Sequence, residues 1–157
     1  NWFNSFVIDK GSNDGLKVNM NVLAGDGLVG IVTEVNKSYA RVRSIIDDES
    51  SVTGSFLKTS DMCFVNGNLK LINKGMIDIS GIPADAEIKN GYEVVTSPVS
   101  DKYLPGILIG YARDIETDSS NITQSAHLTP AADFSGLDMV LVITEVKDSG
   151  DLEDILN

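Results

Sequence analysis

Short apolar runs, separated by polar turns rich in glycine, recur along the whole chain. Within residues 91–112, the runs Val94-Val95 and Ile107-Leu108-Ile109 flank a polar loop that closes with Leu104-Pro105-Gly106. Runs of this kind, bounded by Gly, Ser, Asp and Pro, are typical of two β-strands joined by a hairpin-like loop. Because strand signals follow one another about every 8–12 residues, the chain is predicted to be all-β.

Alternation of apolar and polar residues marks individual strands. Within residues 39–46, Val42 and Ile46 fall on one face, and Arg41 and Arg43 fall on the other. A period of two is that of a half-buried strand, so the two arginines are assigned to a solvated face.

The dipeptide Asn66-Gly67 stands between the apolar run 62–65 and the mainly apolar run Leu69-Lys70-Leu71-Ile72. Asn-Gly is favoured in two-residue turns because both residues tolerate a positive φ. The pattern therefore predicts a β-hairpin at this point.

The pattern of strands and turns occurs twice along the chain. Residues 16–22 align without a gap with residues 88–94, and residues 26–30 align with residues 106–110. Residues 6–8 correspond in the same way to residues 77–79. The second copy carries an insertion, residues 98–105, in its hairpin loop. We interpret this as an internal duplication in which each copy forms a small β-barrel or half-barrel, closed on itself or on the other copy, since closure removes exposed sheet edges.

The duplication predicts the domain organisation. Two small six-stranded β-barrel subdomains are expected at residues 1–72 and 73–147, with strands that can be shared between them, followed by an acidic tail at residues 148–157. Glycine, proline and small polar residues suit the tight backbone of the connecting turns. The assigned turn positions are Gly11, Gly15, Gly27, Gly30, Thr96, Ser97, Pro105, Gly106 and Gly110.

Charge narrows the range of partners. The 157 residues include 23 Asp plus Glu against 12 Lys plus Arg, which gives a net charge of −11. Such a surface repels phosphate backbones and anionic lipids, so nucleic acid and a charged membrane surface are not expected partners. No apolar run approaches the roughly 18 residues of a transmembrane helix. The abrupt start at Asn1-Trp2-Phe3 suggests a piece of a longer protein.

The chain offers few residues for catalysis or metal binding. Cys63 and His127 are its single cysteine and single histidine, and neither stands in a catalytic or metal-binding motif. Cys63, between Met62 and Phe64, is predicted to be a buried apolar residue. No catalytic, cofactor-binding or metal-binding residue is assigned, and the chain is not expected to be an enzyme.

Two other functions remain open from the residues alone. A chymotrypsin-like double-barrel hydrolase would need His127 within hydrogen-bond reach of a serine and an aspartate. A small-ligand-binding β-barrel would need a deep apolar pocket of several hundred cubic ångströms.

A family resemblance is carried by stretches that lie in order along the chain. They are residues 1–32, residues 43–48 with their Ile-Asp-Asp turn, Val95-Thr96-Ser97, Pro105-Gly106-Ile107 and Ile109-Gly110. Together they resemble the extracytoplasmic β-domain of the MreC family, the cell shape-determining proteins of bacteria. The resemblance covers almost all of residues 1–147, is less clear for residues 53–72, and is broken at Pro98, where the family usually has glycine.

This resemblance implies a non-catalytic scaffold of the cell-elongation machinery, which organises peptidoglycan synthesis and maintains cell shape. Family members carry an N-terminal transmembrane helix and a coiled coil ahead of two small barrels. The chain is therefore expected on the extracytoplasmic face of the bacterial cell membrane, anchored by a helix that it does not itself contain. The implied partners are a penicillin-binding transpeptidase, further copies of the protein, and MreD and MreB in the full-length complex. No cofactor is implied.

Barrel scaffolds bind partners through apolar anchors and open strand edges. The candidate partner-binding residues are Tyr103 and Leu104, in the insertion of residues 98–105, and Trp2 and Phe3, near the start. The alternative for each is ordinary packing in the core or at a hinge. The insertion is the part of the second copy that the duplication leaves unexplained, so it is the predicted partner-binding loop.

Overall fold

The structure, a computed structural model, describes residues 4–147. Within this range the chain forms eleven β-strands and two short 3₁₀ helices, Ser12–Asp14 and Ile72–Lys74. No helix in the described range is long and apolar enough to cross a membrane. The strands in chain order are β1 (Ser5–Ile8), β2 (Asn21–Ala24), β3 (Gly27–Val35), β4 (Ala40–Ser44), β5 (Ser51–Phe56), β6 (Met62–Asn66), β7 (Ile77–Pro83), β8 (Glu93–Thr96), β9 (Leu108–Thr117), β10 (Thr123–Pro130) and β11 (Leu141–Val142).

The strands of residues 4–147 form two antiparallel sheets. One, which we call the open sheet, has five strands in the order β1-β4-β3-β2-β11. The other, which we call the closed barrel, has six strands in the order β10-β7-β6-β5-β8-β9, with β10 paired to β9. The predicted all-β fold and a six-stranded barrel are confirmed. The open sheet has one strand fewer than the predicted six in this part of the chain.

The two sheets repeat one four-strand arrangement. The order β1-β4-β3-β2 has its counterpart in β7-β10-β9-β8. Val22 pairs with Gly30 just before a register shift in the open sheet, and Val94 pairs with Gly110 just before the corresponding shift in the closed barrel. The internal duplication predicted from the sequence is confirmed by this shared topology and register.

Hydrogen bonds outside the regular ladders repeat as well. The Asn19 N–H donates to the Val32 carbonyl at 2.8 Å, and the Gly91 N–H donates to the Ala112 carbonyl at 2.7 Å. Asn19 and Gly91 both have a positive φ, 74° and 90°, a conformation that asparagine and glycine tolerate better than other residues. The same turn therefore precedes the same hairpin in each half.

Segments are exchanged between the two halves. β5 and β6 follow β4 in the chain but join the closed barrel, whereas β11 follows β10 and pairs with β2 of the open sheet. The strands therefore change sheet between Ser44 and Ser51, earlier than the division expected at residue 72. The hydrogen-bonded sheets cross that division, and residues 1–72 and 73–147 remain a prediction about folding units.

The hairpin predicted at Asn66-Gly67 is wrong. β6 ends at Asn66, and the chain continues into the 3₁₀ helix Ile72–Lys74 instead of returning as a strand. The Gly67 N–H donates to the Ser50 carbonyl at 3.0 Å, and a side chain at position 67 would overlap the carbonyl of Asp47. Gly67 therefore serves a close backbone approach and not a tight turn.

Both sheets pack around the inward faces of their strands. In β4, Val42 is buried while Arg41 and Arg43 face solvent, as the alternation predicted. Cys63 is buried in the closed barrel, also as predicted, and this burial raises the pKa of its thiol to about 12. The largest fully buried side chains come from both halves: Val22, Leu28, Val29, Val32, Ile45, Ile46, Phe56, Ile77, Ile79, Ile82, Ile109 and Leu128.

Candidate interaction surface

The loop of residues 98–105 is bound to the open sheet by one buried amide. Asn21, on β2, accepts a hydrogen bond from the Leu104 N–H at Oδ1 (2.8 Å) and donates from Nδ2 to the Lys102 carbonyl (3.1 Å). The same Nδ2 group lies 3.2 Å from the Asn19 carbonyl, and Asn21 is fully buried. Because a buried polar group left without partners is costly, these bonds hold the loop against β2.

The two loop residues predicted to bind a partner are mostly turned into the molecule. Tyr103 is only 7% exposed, and burial raises the pKa of its phenol. Leu104 is half-buried, and its carbonyl accepts a hydrogen bond of 2.6 Å from Thr96 Oγ1. The loop presents Val99 to solvent instead, with 66% of its surface exposed. Partner binding through Tyr103 would require the loop to open, and this role stays a prediction.

Thr96 closes the base of the loop. Its N–H donates to the Ile107 carbonyl, and its Oγ1 accepts from the Ile107 N–H, both at 2.8 Å. Gly106, between them in the turn, has a φ of +81°, which favours glycine. Trp2 and Phe3, the other predicted partner-binding residues, lie outside the described residues.

His127 lies between two carboxylates on the outer face of the closed barrel. Its Nδ1 is 2.9 Å from Asp114 Oδ2, and its Nε2 is 3.8 Å from Asp78 Oδ1. Asp78 also accepts a hydrogen bond of 2.8 Å from Asn68 Nδ2. The hydrolase hypothesis required a serine hydroxyl on the imidazole, but both ring nitrogens face aspartates. The arrangement is a partly exposed polar ladder across neighbouring strands and does not form a nucleophile–base pair.

The Asp114 carboxylate is held ionised by its neighbours. The hydrogen bond from His127 lowers the pKa of Asp114 below its ordinary value of 3.8, and the charge of Arg113 lowers it further. Glu34 and Arg41, 3.5 Å apart, make the corresponding contact between β3 and β4 of the open sheet. A polar pair at the same place in both halves is explained by strand pairing, without catalysis.

The interior of the closed barrel is filled by side chains. Phe56, Val65 and Ile77 are fully buried there, and Ile79 is 1% exposed. Such packing occupies the space that a ligand-binding barrel keeps empty. Within residues 4–147, no group of three or more His, Cys, Asp or Glu side chains is placed to hold a metal ion.

An apolar groove lies between the two edges of the open sheet, and we call it the seam. It has a volume of about 750 Å³ and separates β1 from residues 137–142. Val7 on β1 is 51% exposed, and Met139 on the opposite side is 81% exposed. Asp9, Lys10 and Asp138 also line it. The other apolar side chains on the two sides are Phe6, Ile8, Leu137, Val140 and Val142.

Sequence reasoning missed both Asn21 and the seam. The edges of the seam come from opposite ends of the chain, so no local pattern brings them together. One signal was available: β1, with the sequence Ser-Phe-Val-Ile, has neither charge nor proline. Edge strands usually carry such protection, so an unprotected strand indicates an edge that another segment can cover.

Comparison with known proteins assigns the chain to a family. The family model described as "Rod shape-determining protein MreC, barrel core" matches residues 1–144. The cell shape-determining protein MreC of Listeria monocytogenes is 31% identical over 155 residues, which cover 98% of this chain and 52% of that protein. The chain thus spans about half the length of this relative.

Solved structures share the fold. MreC from Listeria monocytogenes has a TM-score of 0.84 at 33% identity, over 95% of this chain and 70% of that one. A chain in the complex between Penicillin-Binding Protein (PBP2) and MreC from Helicobacter pylori has a TM-score of 0.63 at 22% identity, over 80% of this chain and 76% of that one. The second likeness shows the fold alone. With the family model matched from residue 1 to residue 144, this chain belongs to the MreC family of cell shape-determining proteins.

Proposed function

We propose that this chain is the β-domain of a non-catalytic scaffold of the bacterial cell-elongation machinery. In this role it organises peptidoglycan synthesis and maintains cell shape through protein–protein contacts. The observation that carries the proposal is the match of residues 1–144 to the MreC barrel core, together with the Listeria monocytogenes relative that covers 98% of the chain.

The proposed direct partner is a penicillin-binding transpeptidase that cross-links new cell wall. The Helicobacter pylori complex, in which MreC is bound to PBP2, supports this choice by analogy. Self-association, and assembly with MreD and MreB in the full-length complex, belong to the same proposal. So does a position on the extracytoplasmic face of the cell membrane, held there by an N-terminal transmembrane helix outside this chain.

The surface of the domain suits a binding role. The seam offers apolar side chains between two strand edges, and β6 exposes Met62 and Phe64 on the outside of the closed barrel, at 42% and 44%. Apolar anchors next to backbone edges are what strand-mediated recognition uses.

The proposal is tested by binding between purified proteins. We expect the chain of residues 1–157 to bind the transpeptidase ectodomain of the same organism in titration calorimetry, and to associate with itself in sedimentation velocity. The control is a folded acidic β-protein of similar size, which should bind neither. Absence of both associations, with circular dichroism showing an intact fold, would contradict the scaffold function.

A further inference from the structure

Within residues 4–147, the open sheet matches the closed barrel with one strand fewer. By the duplication, β1 corresponds to β7 and β2 corresponds to β8. In the closed barrel, β6 lies between β7 and β5 and pairs with both. The open sheet has no strand at the corresponding place within residues 4–147, and the seam lies there.

The correspondence extends to β11, which takes the place of β5. Val142 pairs with Val22, as Phe56 pairs with Val94 in the closed barrel. The following residue repeats the match: the Ile143 N–H donates to the Asn21 carbonyl at 2.9 Å, and the Leu57 N–H donates to the Glu93 carbonyl at 3.0 Å. The two edges of the seam are thus the equivalents of β7 and β5.

Strand direction limits what can close the seam. The five strands described for the open sheet alternate in direction, so its edge strands β1 and β11 run parallel to each other. One further strand, antiparallel to both, would complete both ladders, as β6 does in the closed barrel. Parallel edges cannot pair with each other in an antiparallel ladder.

The backbone of β1 presents hydrogen-bonding groups to the seam. The Asn4 carbonyl accepts from the Ser44 N–H at 2.9 Å, and β1 pairs with β4 without a register shift. Because peptide groups alternate in direction along an antiparallel strand, Phe6 and Ile8 also bond to β4. The N–H and carbonyl groups of Ser5 and Val7 therefore point away from β4, toward the seam.

Burial at equivalent positions shows what the missing strand would cover. Phe6 and Ile8 on β1 are half-buried, whereas their equivalents on β7, Ile77 and Ile79, are 0% and 1% exposed. Val142 on β11 is half-buried as well, although its equivalent Phe56 is fully buried. The apolar surface left open is the surface that β6 covers in the other half.

We propose that the seam binds an extended segment of a partner protein, which enters antiparallel to β1 and β11 as the sixth strand of the first barrel. The segment has small or β-branched apolar residues at alternate positions, as β6 has Cys63 and Val65 facing inward. Basic residues flank it, because the two carboxylates at the seam, Asp9 and Asp138, outnumber its one cation, Lys10, and the whole chain carries a charge of −11.

The chemistry of the seam selects against two other occupants. Residues 148–157 contain four acidic residues and no basic one, so their charge has the same sign as Asp9 and Asp138 at the seam. A second copy of the chain brings a further charge of −11, so a basic segment is favoured over it at the seam.

The biological partner in this inference rests on the proposed scaffold function. Binding of a synthetic peptide tests the seam without relying on that function. The probe is a synthetic peptide with the β6 sequence, in which Cys63 is replaced by alanine and two lysines are added at each end. The readouts are the affinity of the full chain for the peptide and for the transpeptidase ectodomain, and amide hydrogen exchange at Val7. A peptide flanked by glutamates is the matched control.

We expect the lysine-flanked peptide and the ectodomain to slow exchange at Val7, and the glutamate-flanked peptide to bind more weakly. Val7→Pro removes a seam-facing N–H on an edge strand, where proline is tolerated. We expect it to weaken both interactions by about tenfold, while Val7→Thr, which keeps the N–H, leaves them unchanged.

Three results would overturn the proposal. The first is that Val7→Pro binds as tightly as wild type, or that bound peptide leaves hydrogen exchange at Val7 of the wild-type chain unchanged. The exchange measurement needs only the wild-type chain, so it decides the question even if the variant does not fold. The second is a Val7 amide protected in the chain alone and released when residues 148–157 are removed, which assigns the seam to the tail. The third is protection that appears only as the chain alone is concentrated, which assigns it to a second copy. If the peptide binds at the seam but the ectodomain does not bind at all, the transpeptidase is contradicted as the partner, and the seam is supported as a site for an added strand.

Discussion

Two glycines, Gly30 and Gly110, hold equivalent places in the two halves and show how single residues limit the fold. Each lies on the long strand of its hairpin, opposite the neighbouring strand. A Cβ atom at Gly30 would overlap the carbonyl oxygen of Arg43, and one at Gly110 would overlap that of Thr129. Both positions need glycine because two backbones meet there. The sequence alignment paired the two glycines but assigned them to connecting turns, whereas both lie within strands.

Gly110→Ala is therefore expected to destabilise the chain by about 1–3 kcal/mol, the usual cost of forcing an extra carbon into a packed site. The measurement is the free energy of unfolding in urea. Gly136→Ala is the matched control, since its new Cβ would meet nothing nearer than Asp133 Oδ2 at 3.7 Å. Equal stability of the two variants would mean that the strands separate easily at Gly110.

The Asp114 carboxylate predicts a pH dependence. Its pKa in the folded chain lies below its ordinary value of 3.8, chiefly because of the hydrogen bond from His127. A depressed carboxyl pKa adds stability that is fully present above the unfolded pKa and is lost as the pH falls through the folded one. The stability advantage of wild type over Asp114→Asn should thus be constant well above 3.8 and should shrink below it.

The check is urea unfolding of both proteins at about pH 6 and about pH 3. His127→Gln removes the cause of the shift, so Asp114→Asn should have a smaller effect in that background. An unchanged difference between wild type and Asp114→Asn at the two pH values would contradict the assignment.

At the scale of elements, the insertion of residues 98–105 joins the two sheets. The sequence indicated this loop as a partner site because it had no equivalent in the first copy. In the structure, Asn21 binds its backbone and Tyr103 is buried beneath it. An aromatic residue in a polar loop has the same local pattern whether it anchors a partner or its own domain. Only the position of β2 distinguishes the two cases.

Tyr103→Ala is expected to lower the free energy of unfolding by about 3 kcal/mol, because it empties a buried aromatic site. Val99→Ala, in the same loop and 66% exposed, should change stability by less than about 0.5 kcal/mol. Chemical denaturation of both variants checks this. A Tyr103→Ala chain as stable as wild type, but impaired in binding the transpeptidase, would return Tyr103 to the partner-binding role.

At the scale of the whole molecule, exchanged strands tie the halves together. The closed barrel takes β5 and β6 from the part of the chain before residue 72, and the open sheet takes β11 from the end of the described range. A cut at residue 72 would separate β5 and β6 from the rest of the closed barrel, and β11 from the rest of the open sheet. We therefore expect the two sheets to depend on each other for folding.

The expected result is that fragments 1–72 and 73–157 do not fold separately. Each should give a circular dichroism spectrum of an unfolded chain and poorly dispersed amide resonances. Mixing the two fragments should restore a folded spectrum. This control shows that neither fragment was damaged in preparation. Cooperative unfolding of one fragment alone would support independent domains divided at residue 72.

The strands themselves could be predicted from the sequence, and so could the duplication and the family. Alternation in β4 places Val42 inside and Arg41 outside in any sheet that buries one face. The alignment of residues 16–22 with 88–94 carries the turn geometry of Asn19 and Gly91 with it, because that geometry depends on local backbone conformation. These features depend on near neighbours in the chain.

The tertiary structure decided which strands pair, where the insertion docks and where the open sheet leaves a gap. Backbone hydrogen bonds are alike for all residues, so a strand pattern specifies the buried face but not the neighbouring strand. Asn66-Gly67 illustrates the limit, since its local signal for a hairpin is overridden by close packing of Gly67 on Asp47. The seam between β1 and β11 is likewise set by long-range pairing, because its two edges come from opposite ends of the chain.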